Sequence, residues 1–228
     1  MDENARLQVI ARVRGDFTTK FGIPRQSGLV PSQKATVVFE PPFRDANALR
    51  GLEDYSHIWL IWGFSEVEPR WAPMVKPPRL GGNKRMGVFA TRSPFRPNPL
   101  GLSSVRLEGL EAKPGLGTVL HIAGGDLMDG TPIYDIKPYL SFTDSHPDAR
   151  NGFAQARLEH ALTVVLEEPW LGLIPKDKRE ALIGTLRQDP RPAYQNDPAT
   201  PYGFAFAGWD VRFRVQDDVL TVFEIVKL

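Results

Sequence analysis

Apolar and polar positions alternate over short stretches along most of the first 140 residues of this chain. LQVIARV (7–13), TVVFE (36–40), HIWLIWGF (57–64), MGVFAT (86–91), SSVRLEGL (103–110), TVLHIAG (118–124) and PIYDIK (132–137) are rich in β-branched or aromatic residues and are bounded by Gly, Pro or Asn/Asp turns. Most run five to eight residues, which is strand length. No long helical repeat joins one to the next, as parallel strands would require. The pattern therefore predicts a mainly β fold, an antiparallel barrel or sandwich, over residues 1–145. DANALRGLEDY (45–55), with Asp45 as a possible N-cap, reads as the one helix in that span.

The pattern changes after the polar, turn-rich stretch DSHPDARNG (144–152). ALTVVLEE (161–168) fits either a strand or a short helix. PKDKREALIGTLRQD (175–189) predicts a helix that begins at Pro175, carries Leu182, Ile183 and Leu186 at helical spacing, and stops at Pro190. FAFAGWDVRFRVQ (204–216) and VLTVFEIVKL (219–228) predict two strands of a hairpin turning at Asp217 and Asp218. Residues 146–228 are thus expected to form a small α+β domain beside the β domain.

Composition removes several kinds of chemistry. The chain has no Cys, which excludes disulfides, a thiol nucleophile and Cys-based metal sites. Its four histidines, His57, His121, His146 and His160, lack the spacing that sets two on one helical turn, so no metal is expected. No apolar run reaches the roughly 20 residues of a membrane helix, and MDENARLQ lacks both parts of a signal peptide. A cytoplasmic protein without membrane contact is the expectation. The G-x-S-x-G, H-E-x-x-H, P-loop and G-x-G-x-x-G motifs are all absent.

Charge is unevenly spread. The net charge is +1, yet between Glu68 and Glu108 no acid occurs, while Arg70, Lys76, Arg79, Lys84, Arg85, Arg92, Arg96 and Arg106 supply eight cations. A positive patch on an otherwise acidic chain points to an anionic partner, nucleic acid first. The alternative is that folding scatters these cations over several faces. Four loops also carry more than turn chemistry: PRQSGLV (24–30), KPPRLGGNKR (76–85), RSPFRPNPLG (92–101) and LMDGTPIYDIKPYL (127–140). Pro94, Pro97 and Pro99 hold Ser93, Arg96 and Asn98 extended before any ligand arrives, which lowers the entropy cost of binding.

RSPFRPNPLGLSSV and LMDGTPIYDIKPYL, together with PRQSGLV, RGLEDYSHIWLIW, PPRLGGNKRMGVFATR and QDPRPAY (188–194), closely resemble the TsaA-like or TrmO family of tRNA N6-threonylcarbamoyladenosine methyltransferases. The resemblance covers nearly the whole chain. It implies a homodimeric, S-adenosylmethionine-dependent enzyme with a β-barrel cofactor domain. The implied substrate is threonine tRNA, methylated at N6 of the modified adenosine next to the anticodon. Cofactor contacts carried over to matching positions fall on Ser27, Gly28 and Leu29, on Phe64 and Ser65, on Arg92 and Leu102, and on Gly125, Asp126, Leu127 and Met128.

Methyl transfer onto N6 needs a nitrogen lone pair that the purine and the adjoining carbonyl both delocalise, so a base is a reasonable requirement. Asp135 is the first candidate, with Lys137 and Tyr139 to orient or tune it; a structural partnership of Asp135 with Lys137 or Arg92 is the alternative. Arg92 and Arg96 suit carboxylates or phosphates, and Asn98 suits a base edge. Lys76, Arg79, Lys84 and Arg85 are expected to grip RNA phosphates, and Trp71 and Phe95 either stack on splayed bases or belong to the core. Two other functions compete: a non-catalytic RNA-binding or translation-associated module, and a methyltransferase for another substrate.

Overall fold

The computed structural model describes residues 7–68, 70–77, 84–157, 161–191 and 197–228. Strands β1 (Ala11–Gly15), β2 (Lys34–Phe39) and β3 (His57–Gly63) are followed by the short pair β4 (Met74–Val75) and β5 (Met86–Gly87). Strands β6 (Leu100–Lys113), β7 (Gly117–Ala123) and β8 (Pro132–Pro138) come next. Six of these close into an antiparallel barrel in the order β1-β2-β7-β6-β3-β8. Each contributes an inward apolar side chain: Val13, Val37, Leu60, Val105, Leu120 and Ile133 are at most 1% exposed. Each such burial stabilises the fold by about 1.5–3 kcal/mol.

The stretch 45–55 is not a helix. It forms two single 3-10 turns, Ala46–Leu49 and Leu52–Asp54, because Gly51 between them sits at φ 83°, in the left-handed region. Asp45 does act as a cap, its Oδ1 accepting from the Asn47 amide at 2.9 Å. Leu49 and Leu52 pack on the barrel core, so the apolar spacing that suggests a helix serves two separate plugs. The predicted strand 86–91 is likewise mostly a turn: β5 ends at Gly87 and a 3-10 turn covers Val88–Ala90.

Beyond the barrel come α1 (Ser141–Asp144), β9 (Thr163–Val165), α2 (Trp170–Leu173), α3 (Lys176–Arg187), β10 (Tyr202–Phe206), β11 (Trp209–Gln216) and β12 (Val219–Lys227). The stretch read as one strand, 204–216, is two strands reversing at Ala207 and Gly208. The resulting sheet has the order β10-β11-β12-β9, with β9 parallel to β12. Helix α3 buries Ala181, Leu182, Thr185 and Leu186. No helix among the described residues is long and apolar enough to cross a membrane.

The connection from β1 to β2 leaves the barrel and joins this second core. Phe17 packs edge-on to Phe206 at 5.4 Å, and Phe21 and Ile23 lie against the same cluster. Asp16 pairs with Lys178 of α3 at 2.8 Å, and its carbonyl accepts from the Ala207 amide at 2.8 Å. The segment that leads into PRQSGLV is therefore fixed from both halves of the molecule.

Candidate active site

A cavity of about 360 Å³ opens on the barrel rim where β3 ends and β6 begins. Strand register decides which side chains reach it, since residues directly opposite share a face. Leu60 pairs with Ser103 and Trp62 with Gly101, placing those four inward; Ile61 pairs with Leu102 and Trp59 with Ser104, placing those outward. Trp62 and Asp126 close the cavity from inside the mouth, while Trp59 and Leu102 extend it down the outer wall. Gly101 is needed for this arrangement, because a Cβ there would lie 2.2 Å from the Trp62 ring.

Below the cavity runs a hydrogen-bond chain. Trp62 Nε1 donates to Ser103 Oγ at 3.0 Å, and the Ser103 hydroxyl donates to Asp126 Oδ1 at 2.6 Å. Burial pushes the Asp126 carboxyl above its ordinary pKa, against the opposing pull of Ser103, of the backbone amides of Asp126 and Ser27, and of the Arg92 charge. A desolvated carboxylate flanked by Trp62 and Phe64, whose rings lie 4.5 Å apart, suits a ligand with both a cationic group and a flat ring.

Two loops bracket the mouth and brace one another. The Gly28 amide donates to Gly124 O at 2.8 Å, and the Gly124 amide donates to Gln33 O at 2.8 Å. Arg92 Nη1 donates to Gln26 Oε1 across the opening. Arg96 also lines the cavity, but its Nη1 donates to Thr91 O at 2.7 Å and Val88 O at 3.2 Å, tying down its own loop. Asn98 is exposed, its carbonyl accepting from Leu100 N at 2.8 Å just as β6 starts.

Of the eleven residues expected at the cofactor, Phe64, Arg92, Leu102 and Asp126 line this cavity. Ser27, Gly28 and Leu29 lie in one bracing loop; Gly125, Leu127 and Met128 lie in the other, with Gly125 and Leu127 buried. Ser65 follows Phe64 and is exposed. The sequence marks the PRQSGLV loop as functional without giving Arg25 or Gln26 a role, and it does not by itself say that Trp59 and Trp62 line the cavity with them. A signal for Trp59 existed: it alternates with the core residues Ile58 and Leu60, so it had to face outward.

The three catalytic candidates sit on the outer wall. Asp135 pairs with Ile61, next across the sheet from Leu102, so two strand spacings, about 10 Å, separate it from Leu102. Lys137 Nζ stands 3.0 Å from Asp135 Oδ2, and Asp135 Oδ1 accepts from the Ile136 amide at 2.9 Å. The Tyr139 ring packs 5.5 Å from Trp59. Lys76, Lys84 and Arg85 are exposed, whereas Arg79 lies outside the described residues. Trp71 and Phe95, 54% and 42% exposed, are not core residues; Phe95 borders a second cavity of about 520 Å³ with Arg70 and Lys76. Among the described residues no cluster of three or more His, Asp or Glu could hold a metal ion.

Residues 12–145 match the family described as tRNA-methyltransferase O N-terminal domain, and residues 173–228 match the TrmO C-terminal domain. The chain belongs to the TrmO family. A relative from Escherichia coli (strain K12), named tRNA (adenine(37)-N6)-methyltransferase, is 42% identical over 231 residues, covering 96% of this chain and 97% of its own. A relative of the same name from Eikenella corrodens is 48% identical over 168 residues, 71% of this chain and 92% of that one. The crystal structure of TrmO from Pseudomonas aeruginosa superposes with a TM-score of 0.81 at 34% identity, covering 100% of this chain and 99% of that one. The TrmO fold thus includes both the closed barrel and the C-terminal α+β region seen here.

Proposed function

We propose that this TrmO-family chain is a cytoplasmic, homodimeric, S-adenosylmethionine-dependent tRNA methyltransferase. Its acceptor is N6 of the N6-threonylcarbamoyladenosine next to the anticodon of threonine tRNA. The observation that carries the reading is the rim cavity, in which a half-buried carboxylate, a guanidinium and an aromatic wall converge within a chain that matches the family at both ends. The residues fit the cofactor: Asp126 offers charge to its cationic part, Arg92 a planar donor pair to its carboxylate, and Phe64 with Trp62 an apolar wall to its adenine. A volume of about 360 Å³ falls in the range of small-molecule sites. When bound, the cofactor supplies a methyl group activated by a sulfonium.

The chain's own residues position and deprotonate. Trp59 and Leu102 carry the acceptor from the cavity along the outer wall toward Asp135. Asp135 takes the N6 proton as methyl transfer proceeds, restoring the lone pair delocalised in the substrate. Lys137 and Tyr139 flank this wall, so turnover requires Asp135 to exchange its Lys137 partner for the substrate N–H. Arg96 stiffens the proline loop, Asn98 stands ready for a base edge, and Lys76, Lys84 and Arg85 meet backbone phosphates. Exposed Trp71 and Phe95 offer stacking surfaces beside them.

The test is methyl transfer from labelled cofactor to threonine tRNA prepared with and without the threonylcarbamoyl group, followed by nucleoside mass spectrometry. Transfer confined to the modified tRNA is expected. RNA binding without transfer would identify a non-catalytic module, and transfer indifferent to the group would identify another substrate.

A further inference from the structure

The cavity wall has an anchor in the other half of the molecule. Arg25 lines the cavity, yet its Nη2 donates to the carbonyls of Asp189 at 3.0 Å and Arg191 at 2.9 Å. Those carbonyls follow the C-terminal end of α3, where the helix dipole favours a cation. The backbone there is held in shape by its own side chains. Arg191 Nε and Nη2 grip the two Asp189 carboxylate oxygens at 2.8 and 2.9 Å, and the pair is only 10% and 19% exposed. Burial pushes the Asp189 carboxyl up, but the Arg191 hydrogen bonds and charge, with the charge of Arg25, outweigh it and hold it below its ordinary value. Asp189 itself sits at φ 50°, a conformation Asp and Asn tolerate better than most residues.

The chain of support continues to the opposite lip. Gln26, next to Arg25, accepts the Arg92 guanidinium. Residues 189–191 therefore set Arg25, Arg25 sets the loop that carries Gln26, and Gln26 sets Arg92 over the cavity. We infer that Arg25 is a positioning residue for the cofactor and that the Asp189–Arg191 turn of the C-terminal region is its clamp. Cofactor affinity in the barrel thus depends on a turn outside it. The inference rests on the cofactor reading of the rim cavity.

The experiment measures S-adenosylmethionine affinity by calorimetry, transfer kinetics and melting temperature on the full chain. Its variants are Arg25→Ala, Arg25→Lys, Asp189→Asn and the Arg25→Ala/Asp189→Asn double, with Arg92→Ala testing the underlying site. Arg25→Ala is expected to raise Kd about 10-fold, the scale of removing hydrogen bonds from a charged group, with kcat at saturating cofactor within about 2-fold. Arg25→Lys restores part of the affinity. Asp189→Asn keeps the size of the side chain and suits the backbone, and is expected to raise Kd about 3-fold by loosening the grip of Arg191. Because both act through one interaction, the double variant should bind no worse than Arg25→Ala alone. An unchanged Kd in Asp189→Asn, or a double variant whose effects multiply, overturns the clamp. Should Arg92→Ala also leave Kd unchanged, the cavity is not the cofactor site and both readings fall together.

Discussion

Gly101 is the position where one added carbon should disturb the site most. An ideal Cβ there would stand 2.2 to 2.5 Å from three atoms of the Trp62 indole, well inside van der Waals distance. Trp62 is 9% exposed and its partners are strands, so the ring has little room to retreat. Overpacking of this kind costs about 1–3 kcal/mol. Displacing the indole also breaks the Trp62 Nε1 to Ser103 Oγ bond of 3.0 Å, worth about 1 kcal/mol. The sum, about 2–4 kcal/mol, corresponds to a fall in Tm of about 4–16 °C for a chain of this size. Gly109 on the same strand is the matched control, since nothing lies within 4 Å of a Cβ there. Gly109→Ala should stay within about 0.5 kcal/mol of the parent. Thermal and urea unfolding of both variants, with cofactor titration, make the assay. If Gly101→Ala melts alongside Gly109→Ala and binds the cofactor normally, the indole is not held against the strand as described.

Asp126→Asn should raise Tm at pH 7 while weakening cofactor binding. The parent carboxyl has a folded pKa raised above 3.8, chiefly by burial, so its charge costs stability as pH rises through that raised value. Below pH 3.8 the parent is protonated in both states, and melting curves of the two proteins should converge there. Asp135→Asn should lower kcat by about 100-fold or more while leaving cofactor Kd unchanged; equal loss in both would make it a binding residue. Neutralising Lys76, Lys84 or Arg85 should reduce the slope of log affinity for tRNA against log salt by about 0.7 for each phosphate that the residue neutralises, and an unchanged slope removes that residue from the interface.

The barrel strands are legible in the sequence because each alternates an inward apolar residue with an outward one, and β2, β3, β7 and β8 lie within two residues of the expected bounds. Residues 45–55 imitate a helix because Asp45 caps and Leu49 and Leu52 recur at helical spacing; the break at Gly51 follows from packing each leucine separately on the barrel. Phe64, Arg92, Leu102 and Asp126 at the cavity come through family resemblance, which carries position but not geometry. Trp59 and Trp62 look like ordinary strand residues because their opposite faces matter only once the rim is closed. The loop that carries Arg25 stands out in the sequence, but the partners of Arg25 are beyond reach for a different reason: its acceptors lie 164 and 166 residues away, and no local pattern signals a partner that distant.

That distance also sets a timetable for biosynthesis. The strands of the barrel through β8 leave the ribosome well before α3 and the turn at Asp189. At about 5–20 residues per second, the 164 residues between Arg25 and Asp189 take roughly 10 to 30 s to translate. Throughout that interval Phe17, Phe21 and Ile23 have no C-terminal core to enter, and the lip of the cavity is untethered. A nascent chain at this stage presents an apolar loop on an otherwise closable barrel, which is what a ribosome-associated chaperone would engage.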